Sequence, residues 1–412
     1  MRRLTGRVML AGKGANYRMP ANEIPTGTEV VFDAGALGEL LGALTRRGYQ
    51  IIGPTIRDSA IVYDAIESAE ELPAGWSAEQ DAGRYRLRKR DDGALFGHGI
   101  GPGSWKRFLH PADVLLSTAE RTGGLFHILP GDPPPPAPYA FLGVRACDLA
   151  AIERQDRILL GDRYVDFVYR QRREGAFLVA VQCTESAPTC FCASMSTGPK
   201  AGTGFDIALT EIVEPDRHIF LAEAGTARGS EVLSEVAHAR SNAETRAKAR
   251  RATAEAGSAQ SRRIDAAGLR EALYEAFDSP RWDKVAARCL ACANCTMVCP
   301  TCFCITVEDS SDVTGHRADR RRKWDSCFTQ MFSYIHGGSV RLSAKSRYRQ
   351  WLTHKLAAWI DQFGESGCVG CGRCITWCPV GIDITEEAAA MRGQERSAAA
   401  LQGANHGDAK VD

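Results

Sequence analysis

A doubled cysteine motif near the C-terminal end constrains this chain more than any other feature. The first copy reads C-x2-C-x2-C-x3-C-P and runs from Cys289 to Pro300, and the second has the same spacing from Cys368 to Pro379. This spacing is typical of bacterial ferredoxins with two [4Fe–4S] clusters. In such ferredoxins the fourth cysteine of each motif ligates the other motif's cluster. The pattern therefore predicts a chain that conducts electrons.

The eight motif cysteines divide into two crossed ligand sets. The first cluster is expected to take Cys289, Cys292, Cys295 and Cys378. The second is expected to take Cys368, Cys371, Cys374 and Cys299. The alternative is a pair of zinc sites or disulfides, but zinc sites usually pair C-x2-C units without a third repeat or a Cys-Pro ending.

Composition favours a cytoplasmic protein with reduced thiols. The chain has 412 residues, a formal net charge of +1 and 15 cysteines. This net charge predicts no bulk attraction to nucleic acid or anionic membranes. So many cysteines in so long a chain indicate metal binding rather than a secreted disulfide scaffold. The sequence has neither the apolar segment of a signal peptide nor a run long enough to span a membrane.

The order of elements predicts an α+β multidomain protein. Its N-terminal α/β region contains a βαβ unit, because two apolar strands at 139–145 and 176–182 flank a helical stretch at 148–160. A proline run at 133–136 indicates a boundary. The long insert between the two motifs reads as helical, notably at 348–363, which predicts a mostly helical two-cluster ferredoxin domain. The predicted divisions are an N-terminal α/β region at 1–137, the βαβ region at 138–225, a helical or flexible linker at 226–280, the ferredoxin domain at 281–390 and a disordered tail at 391–412.

A second group of cysteines follows the strands of the βαβ unit. Cys147 comes just after the first strand and Cys183 after the second, with Cys190 and Cys192 shortly beyond. Parallel strands place their carboxyl ends at one edge of a sheet, where open α/β sheets bind their ligands. These four cysteines therefore predict a third [4Fe–4S] cluster, although buried structural thiols are the alternative.

The last three cysteines are Cys302, Cys304 and Cys327. Cys302 and Cys304 belong to a pentapeptide, Pro-Thr-Cys-Phe-Cys, that also occurs at 188–192. The three could bind a metal with one further ligand such as Asp325, or they could be packing residues or redox thiols. The sequence leaves these alternatives open.

Several of these stretches resemble a known family. They are Gly143-Val-Arg-Ala-Cys147-Asp148, both Pro-Thr-Cys-Phe-Cys segments, Trp324-Asp-Ser-Cys327, Tyr334-Ile-His-Gly-Gly338 and Cys368-Val-Gly-Cys-Gly-Arg-Cys374. Together they resemble the iron–sulfur β subunit of cytoplasmic NAD(P)-linked [NiFe] hydrogenases, also called sulfhydrogenases, a family that includes an iron–sulfur subunit of the anaerobic sulfite reductase. The resemblance implies a diaphorase subunit carrying FAD and NAD(P), together with a separate catalytic partner. That partner is the small and large [NiFe] subunits in hydrogenases and a sirohaem subunit in the reductase.

The leading prediction is a non-catalytic electron-transfer subunit of a cytoplasmic hydrogenase complex. The chain lacks the paired C-x2-C nickel ligands of a large subunit and a convincing dinucleotide fingerprint, and no catalytic residue stands out. The iron–sulfur subunit of an anaerobic sirohaem sulfite reductase is the alternative within the same family. A stand-alone iron–sulfur oxidoreductase with its own substrate pocket, and a sensor or assembly factor that carries clusters, are the alternatives from other classes.

Overall fold

The computed structural model describes residues 24–161 and 163–393. Its strands are β1 (Glu29–Asp33), β2 (Gln50–Arg57), β3 (Ala60–Ala65), β4 (Trp76–Asp81), β5 (Arg84–Lys89), β6 (Asp113–Thr122), β7 (Leu125–Pro130), β8 (Tyr139–Val144), β9 (Phe177–Val181), β10 (Ile207–Glu214), β11 (Arg217–Ala224), β12 (Ala239–Arg240), β13 (Ile305–Ser311), β14 (Arg317–Trp324), β15 (Tyr334–Ile335) and β16 (Gly338–Ser339). Its helices are α1 (Leu37–Arg46), α2 (Lys106–Leu109), α3 (Ala146–Leu159), α4 (Phe167–Arg173), α5 (Ala227–Ser234), α6 (Ala243–Ser258), α7 (Leu269–Glu275), α8 (Arg281–Arg288), α9 (Asn294–Met297), α10 (Ala344–Thr353), α11 (Trp359–Phe363), α12 (Arg373–Thr376) and α13 (Ile384–Met391).

A mixed sheet of eight strands forms the centre of the described N-terminal part. Its strand order is β12-β1-β11-β10-β9-β8-β2-β3. The inner pairs β2–β8, β8–β9 and β9–β10 are parallel, and the remaining pairs are antiparallel. Strands β8 and β9 are joined through α3 and α4, which confirms the predicted βαβ unit. The carboxyl ends of β8 and β9 therefore meet at one sheet edge.

Both faces of the central strands are covered. The side chains of β9 alternate, so that Val179 packs in the core beside α1 and Leu178 packs in the core beside α3. The apolar stripe of α1, at Leu37, Leu41 and Leu44, has helical spacing and is buried against the first face. A strand buried on both faces reads as a continuous apolar run, which is how β9 appears in the sequence.

The sheet crosses two of the divisions predicted from the sequence. Strand β2, which precedes the boundary placed at 137/138, pairs in parallel with β8, which follows it. The proline run is thus a loop between neighbouring strands of one sheet. The segment at 226–280, predicted as a helical or flexible linker, contributes β12 to the sheet edge and α6, which packs against β10 and β11. Several charged residues of α6 pair with carboxylates of the sheet, as Arg246 and Arg250 do with Glu29.

A second sheet connects the two ends of the chain. It has the order β13-β14-β6-β7, with β6 and β7 from the N-terminal region and β13 and β14 from the insert between the cysteine motifs. The insert, read from the sequence as helical, therefore begins with a hairpin. Opposite charges face each other across it, as in the pair of Arg320 with Asp309 at 2.7 Å, and such cross-strand pairs favour a sheet.

Apart from the short β15–β16 pair, the described remainder of the C-terminal region is mostly helical, as predicted. Helices α7, α8, α10 and α13 enclose an apolar core that includes Trp282, Trp351 and Leu352. The disordered tail predicted at 391–412 falls outside the described residues except for its first three, and Met391 is the last residue of α13. Within the described residues, no helix is both long and apolar enough to span a membrane.

Candidate iron–sulfur centres

The first predicted ligand set converges at the end of α8. Cys289 caps this helix in an extended conformation, and Cys295 lies on the short helix α9. Cys289, Cys292, Cys295 and Cys378 line one small apolar cavity together. Cys378 comes from the second motif and is an electrostatic neighbour of both Cys289 and Cys295. The structure therefore places these four cysteines round one cavity, which Cys374 of the second set also lines, and their ligation of a cluster stays a prediction.

The second predicted set gathers in the same way. Cys374 has Cys368, Cys371 and Cys299 as electrostatic neighbours, and Cys299 comes from the first motif. Cys374 also neighbours Cys295 of the first set, so the two sets adjoin.

Backbone geometry explains how each C-x2-C-x2-C loop wraps round a site. Ala291 and Ala293 of the first loop adopt left-handed φ values of 51° and 65°. Gly370 and Gly372 hold the same places in the second loop, with φ of 64° and 77°. A side chain on Gly370 would place its Cβ 2.7 Å from backbone atoms of Cys192. The second loop therefore requires glycine because the loop at 188–192 packs directly against it.

That contact joins the third predicted set to the second. Cys147 lies on the first turn of α3, and Cys190 and Cys192 lie in the loop beyond β9. Cys192 is an electrostatic neighbour of Cys147, Cys183 and Cys371. The backbone N–H of Phe191 donates to the Gly370 carbonyl at 2.8 Å. The structure thus brings together all four cysteines of the third set beside Cys371.

Burial opposes the thiolate form in all three sets. Burial raises the pKa of Cys192 to about 12 and that of Cys368 to about 11. It also raises the pKa of Cys147 and Cys295 well above the usual range. Such thiols lose their protons when metal binds them, because the metal compensates for the buried charge. Groups of four soft thiolates suit [4Fe–4S] clusters, so the donor chemistry fits the predicted group.

Among the described residues, no group of three or more His, Cys, Asp or Glu side chains is arranged to hold a metal ion. A single ion draws its ligands closely round one centre, whereas a cubane cluster binds each thiolate at a different corner. Four cysteines in each set match the number of thiolates that a [4Fe–4S] cluster takes.

Buried cations near the thiols were not found by sequence reasoning. The Arg145 guanidinium lies 3.8 Å from Cys183 Sγ and also donates to two backbone carbonyls. Arg373, between Cys371 and Cys374, makes a bidentate ion pair with Asp148 at 2.8 and 3.0 Å. Both partners are fully buried, with 0% and 1% of the side chain exposed. In the sequence, the available signal for Arg145 and Arg373 was that each lies within two residues of a cysteine.

The three cysteines left open by the sequence lie beside the first two sets. Cys302 is an electrostatic neighbour of Cys299, and Cys304 is an electrostatic neighbour of Cys327. Cys304 lies at the base of the β13–β14 hairpin, where its carbonyl accepts from the Asp325 N–H at 2.9 Å. No described metal-ion site includes them.

Fold and site together define an iron–sulfur protein with a ferredoxin-like C-terminal part attached to an α/β sheet. A family model described as a 4Fe-4S dicluster domain matches residues 288–382, which contain both motifs. The sulfhydrogenase 2 subunit beta of Pyrococcus furiosus is 34% identical to this chain over 258 residues. The alignment covers 60% of this chain and 71% of that subunit. The chain therefore belongs to the family of sulfhydrogenase beta subunits. No solved structure matches it.

Proposed function

We propose that this chain relays electrons between a subunit that binds flavin and NAD(P) and the catalytic metal subunits of a [NiFe] hydrogenase complex. Its family membership supports an iron–sulfur subunit. The observation that carries the proposal is the contiguity of three four-cysteine sets. When bound, [4Fe–4S] clusters supply one-electron chemistry. The chain itself holds the thiolates, excludes water and sets the surrounding hydrogen bonds and charges.

The proposed ligands follow the sets that the structure brings together. They are Cys289, Cys292, Cys295 and Cys378 for the first cluster, Cys368, Cys371, Cys374 and Cys299 for the second, and Cys147, Cys183, Cys190 and Cys192 for the third. The second set adjoins the first through Cys295 and the third through Cys371, so the three form a row with the second in the middle. Cys292 is exposed and Leu290 beside it is 64% exposed. The first set is therefore the end of the row that faces a partner.

An iron count tests whether the chain holds three clusters. We expect the anaerobically purified chain to hold about twelve irons and twelve acid-labile sulfides, four of each per cubane. A Cys147→Ser variant should fall to about eight, with loss of one EPR signal after dithionite reduction. Replacing Cys327, which lies outside the three sets, is the matched control and should leave the count unchanged. About eight irons in the wild type, unchanged by Cys147→Ser, would leave only the two clusters of the ferredoxin motifs.

The partners are tested by purifying a tagged chain anaerobically from its native cells and identifying the subunits that accompany it. A flavoprotein together with a nickel-site protein supports the hydrogenase complex. A sirohaem protein in place of the nickel-site protein supports the alternative within the family, an anaerobic sulfite reductase.

One observation favours a second function, a stand-alone oxidoreductase. A cavity of about 1050 Å³ lies between α6 and the sheet, and Glu29, Glu223, Lys200 and Gln260 line it. The Gln260 side chain reaches from this cavity to Cys192 Sγ at 3.2 Å. A substrate there would lie beside the third set. Turnover by the isolated chain with an artificial electron donor tests this function, and its absence from a fully iron-loaded chain would exclude it for the substrates tried.

A further inference from the structure

One buried lysine lies beside the second ligand set and outside both cysteine motifs. Lys355 lies on a π-helical turn, His354–Ala358, between α10 and α11. Such turns inside α-helices are rare and often occur at functional sites. Lys355 is 5% exposed, and its Nζ donates to Thr301 Oγ1 at 2.8 Å. Thr301 Oγ1 in turn lies 3.2 Å from the sulfur of Cys299, the ligand that crosses over from the first motif.

The backbone of the same residue supports the second motif. The Lys355 carbonyl accepts from the Gly367 N–H at 2.8 Å and from Ser366 Oγ at 3.0 Å. Ser366 Oγ in turn accepts from the N–H of Cys368 at 3.1 Å. Lys355 is thus linked to both sides of the second set, to Cys299 through Thr301 and to Cys368 through Ser366.

One hydroxyl links the sulfur of Cys299 to Lys355. Thr301 Oγ1 lies 3.2 Å from Cys299 Sγ, accepts from the Lys355 ammonium at 2.8 Å and donates to the Gly367 carbonyl at 2.7 Å. The equivalent ligand of the first set, Cys378, is followed by Pro379 and Val380 where Cys299 is followed by Pro300 and Thr301. The first set therefore lacks the hydroxyl that the second has.

We propose that Lys355 is a positioning residue that raises the reduction potential of the second cluster above that of the first. The inference rests on the proposed ligation of that cluster by Cys299. Four thiolates make a cubane anionic, and reduction adds one more negative charge. Hydrogen bonds and a buried cation at the sulfurs stabilise the reduced form more than the oxidised form, because the reduced form carries more charge. The second cluster, in the middle of the row, is then reduced more readily than the first.

An EPR-monitored redox titration of the anaerobically purified chain tests the proposal. The signal of the second cluster is identified by its change in a Cys371→Ser variant. Lys355→Met, which keeps the side-chain length and removes the charge and donors, should lower the potential of the second cluster and leave the first unchanged. Thr301→Val, which copies the first motif, should lower it less. Lys345→Met is the matched control, since Lys345 is on α10 but pairs with Asp283 at 2.9 Å, and it should shift neither.

Iron content separates the outcomes. A wild-type chain without a cluster at Cys371 would overturn the proposed ligation itself. A fully loaded Lys355→Met chain with an unshifted second potential, or with equal shifts in both clusters, would overturn the role of Lys355 alone. If Lys355→Met does not assemble the cluster, Thr301→Val decides: a lowered second potential supports the proposal, and an unchanged one overturns it.

Discussion

The buried pair of Arg373 and Asp148 should hold the ferredoxin motif against the α/β sheet, and Arg373→Met should loosen this contact. Arg373 lies in the second C-x2-C-x2-C loop, whereas Asp148 lies on the first turn of α3 next to Cys147. Besides the bidentate pair, Arg373 Nε hydrogen-bonds the carbonyls of Gly101 and Gly103 at 3.2 Å each. The substitution leaves Asp148 as an uncompensated buried carboxylate.

Removing one partner of a buried ion pair costs about 3–5 kcal/mol, because the remaining charge stays desolvated. At about 1.4 kcal/mol per tenfold change, this corresponds to a loss of roughly a hundredfold to several thousandfold in the equilibrium that keeps the interface closed. The double variant with Asp148→Asn removes the buried charge as well. It should recover much of the loss, leaving about 1–3 kcal/mol for unsatisfied hydrogen-bonding groups.

Native-state hydrogen exchange measured by mass spectrometry gives the local opening free energy without a two-state assumption for the whole chain. We expect protection in peptides from the start of α3 and from the loop at 188–192 to fall in Arg373→Met and to recover largely in the double variant. The samples are compared at equal iron content. Arg270→Met is the control, since its pair with Asp361 is exposed. Two results would refute the reasoning. One is protection in Arg373→Met that stays within tenfold of wild type. The other is an equal loss of protection in Arg373→Met and in the double variant.

Three further predictions concern single residues. Gly370→Ala places a Cβ 2.7 Å from the backbone of Cys192, so we expect partial iron loading with the EPR signal of the third set lost first; full loading would contradict this. Ala291→Gly relieves a left-handed φ of 51° and should stabilise the first loop by about 0.5–1 kcal/mol, measured as slower iron loss to a chelator. Burial and the nearby Arg145 lower the pKa of His98 from 6.5 to about 3. The unfolded chain then binds a proton that the folded chain rejects, so stability falls as pH drops below about 6.5. His98→Gln should flatten that dependence in urea titrations between about pH 7 and pH 5, and an unchanged slope would contradict it.

Much of the fold could be predicted because its signals are local. The βαβ unit was visible because β9 is a short continuous apolar run and the preceding helix has its own periodicity. The division at 137/138 was not predictable, because proline runs mark a loop but do not show which strands pair across it. Strand β2 and strand β8 are distant in sequence, and only their pairing reveals one sheet. The hairpin of β13 and β14 was missed because the insert was read as helical, whereas the charged residues of β14 find partners on the opposite strand, which the sequence alone does not show.

The proximity of the cysteines could be predicted because cluster geometry fixes cysteine spacing and the sheet edge gathers cysteines at strand ends; which of them ligate a cluster stays a prediction. The buried charged residues around these cysteines could not be predicted. Lys355 lies far from the first motif in sequence, and nothing in its neighbourhood marks it. Its role depends on a π-helical turn that turns the residue toward Thr301. The contact of Gln260 with Cys192 could not be predicted either, because it depends on α6 covering the sheet beside the third set.

The two cluster loops differ because their surroundings differ, and this difference makes the second set more buried than the first. Both loops need two left-handed residues, but the first uses Ala291 and Ala293, whose half-buried positions accommodate a Cβ. The second uses glycines because it lies between the helical core and the loop at 188–192. Three of the four cysteines of the second set are consequently buried, while Cys292 of the first set is exposed. In the proposed relay, a middle site that is shielded from partners would exchange electrons only with its neighbours, so its potential would control transfer along the whole row. The proposed effect of Lys355 on the second cluster would therefore influence transfer through all three sites.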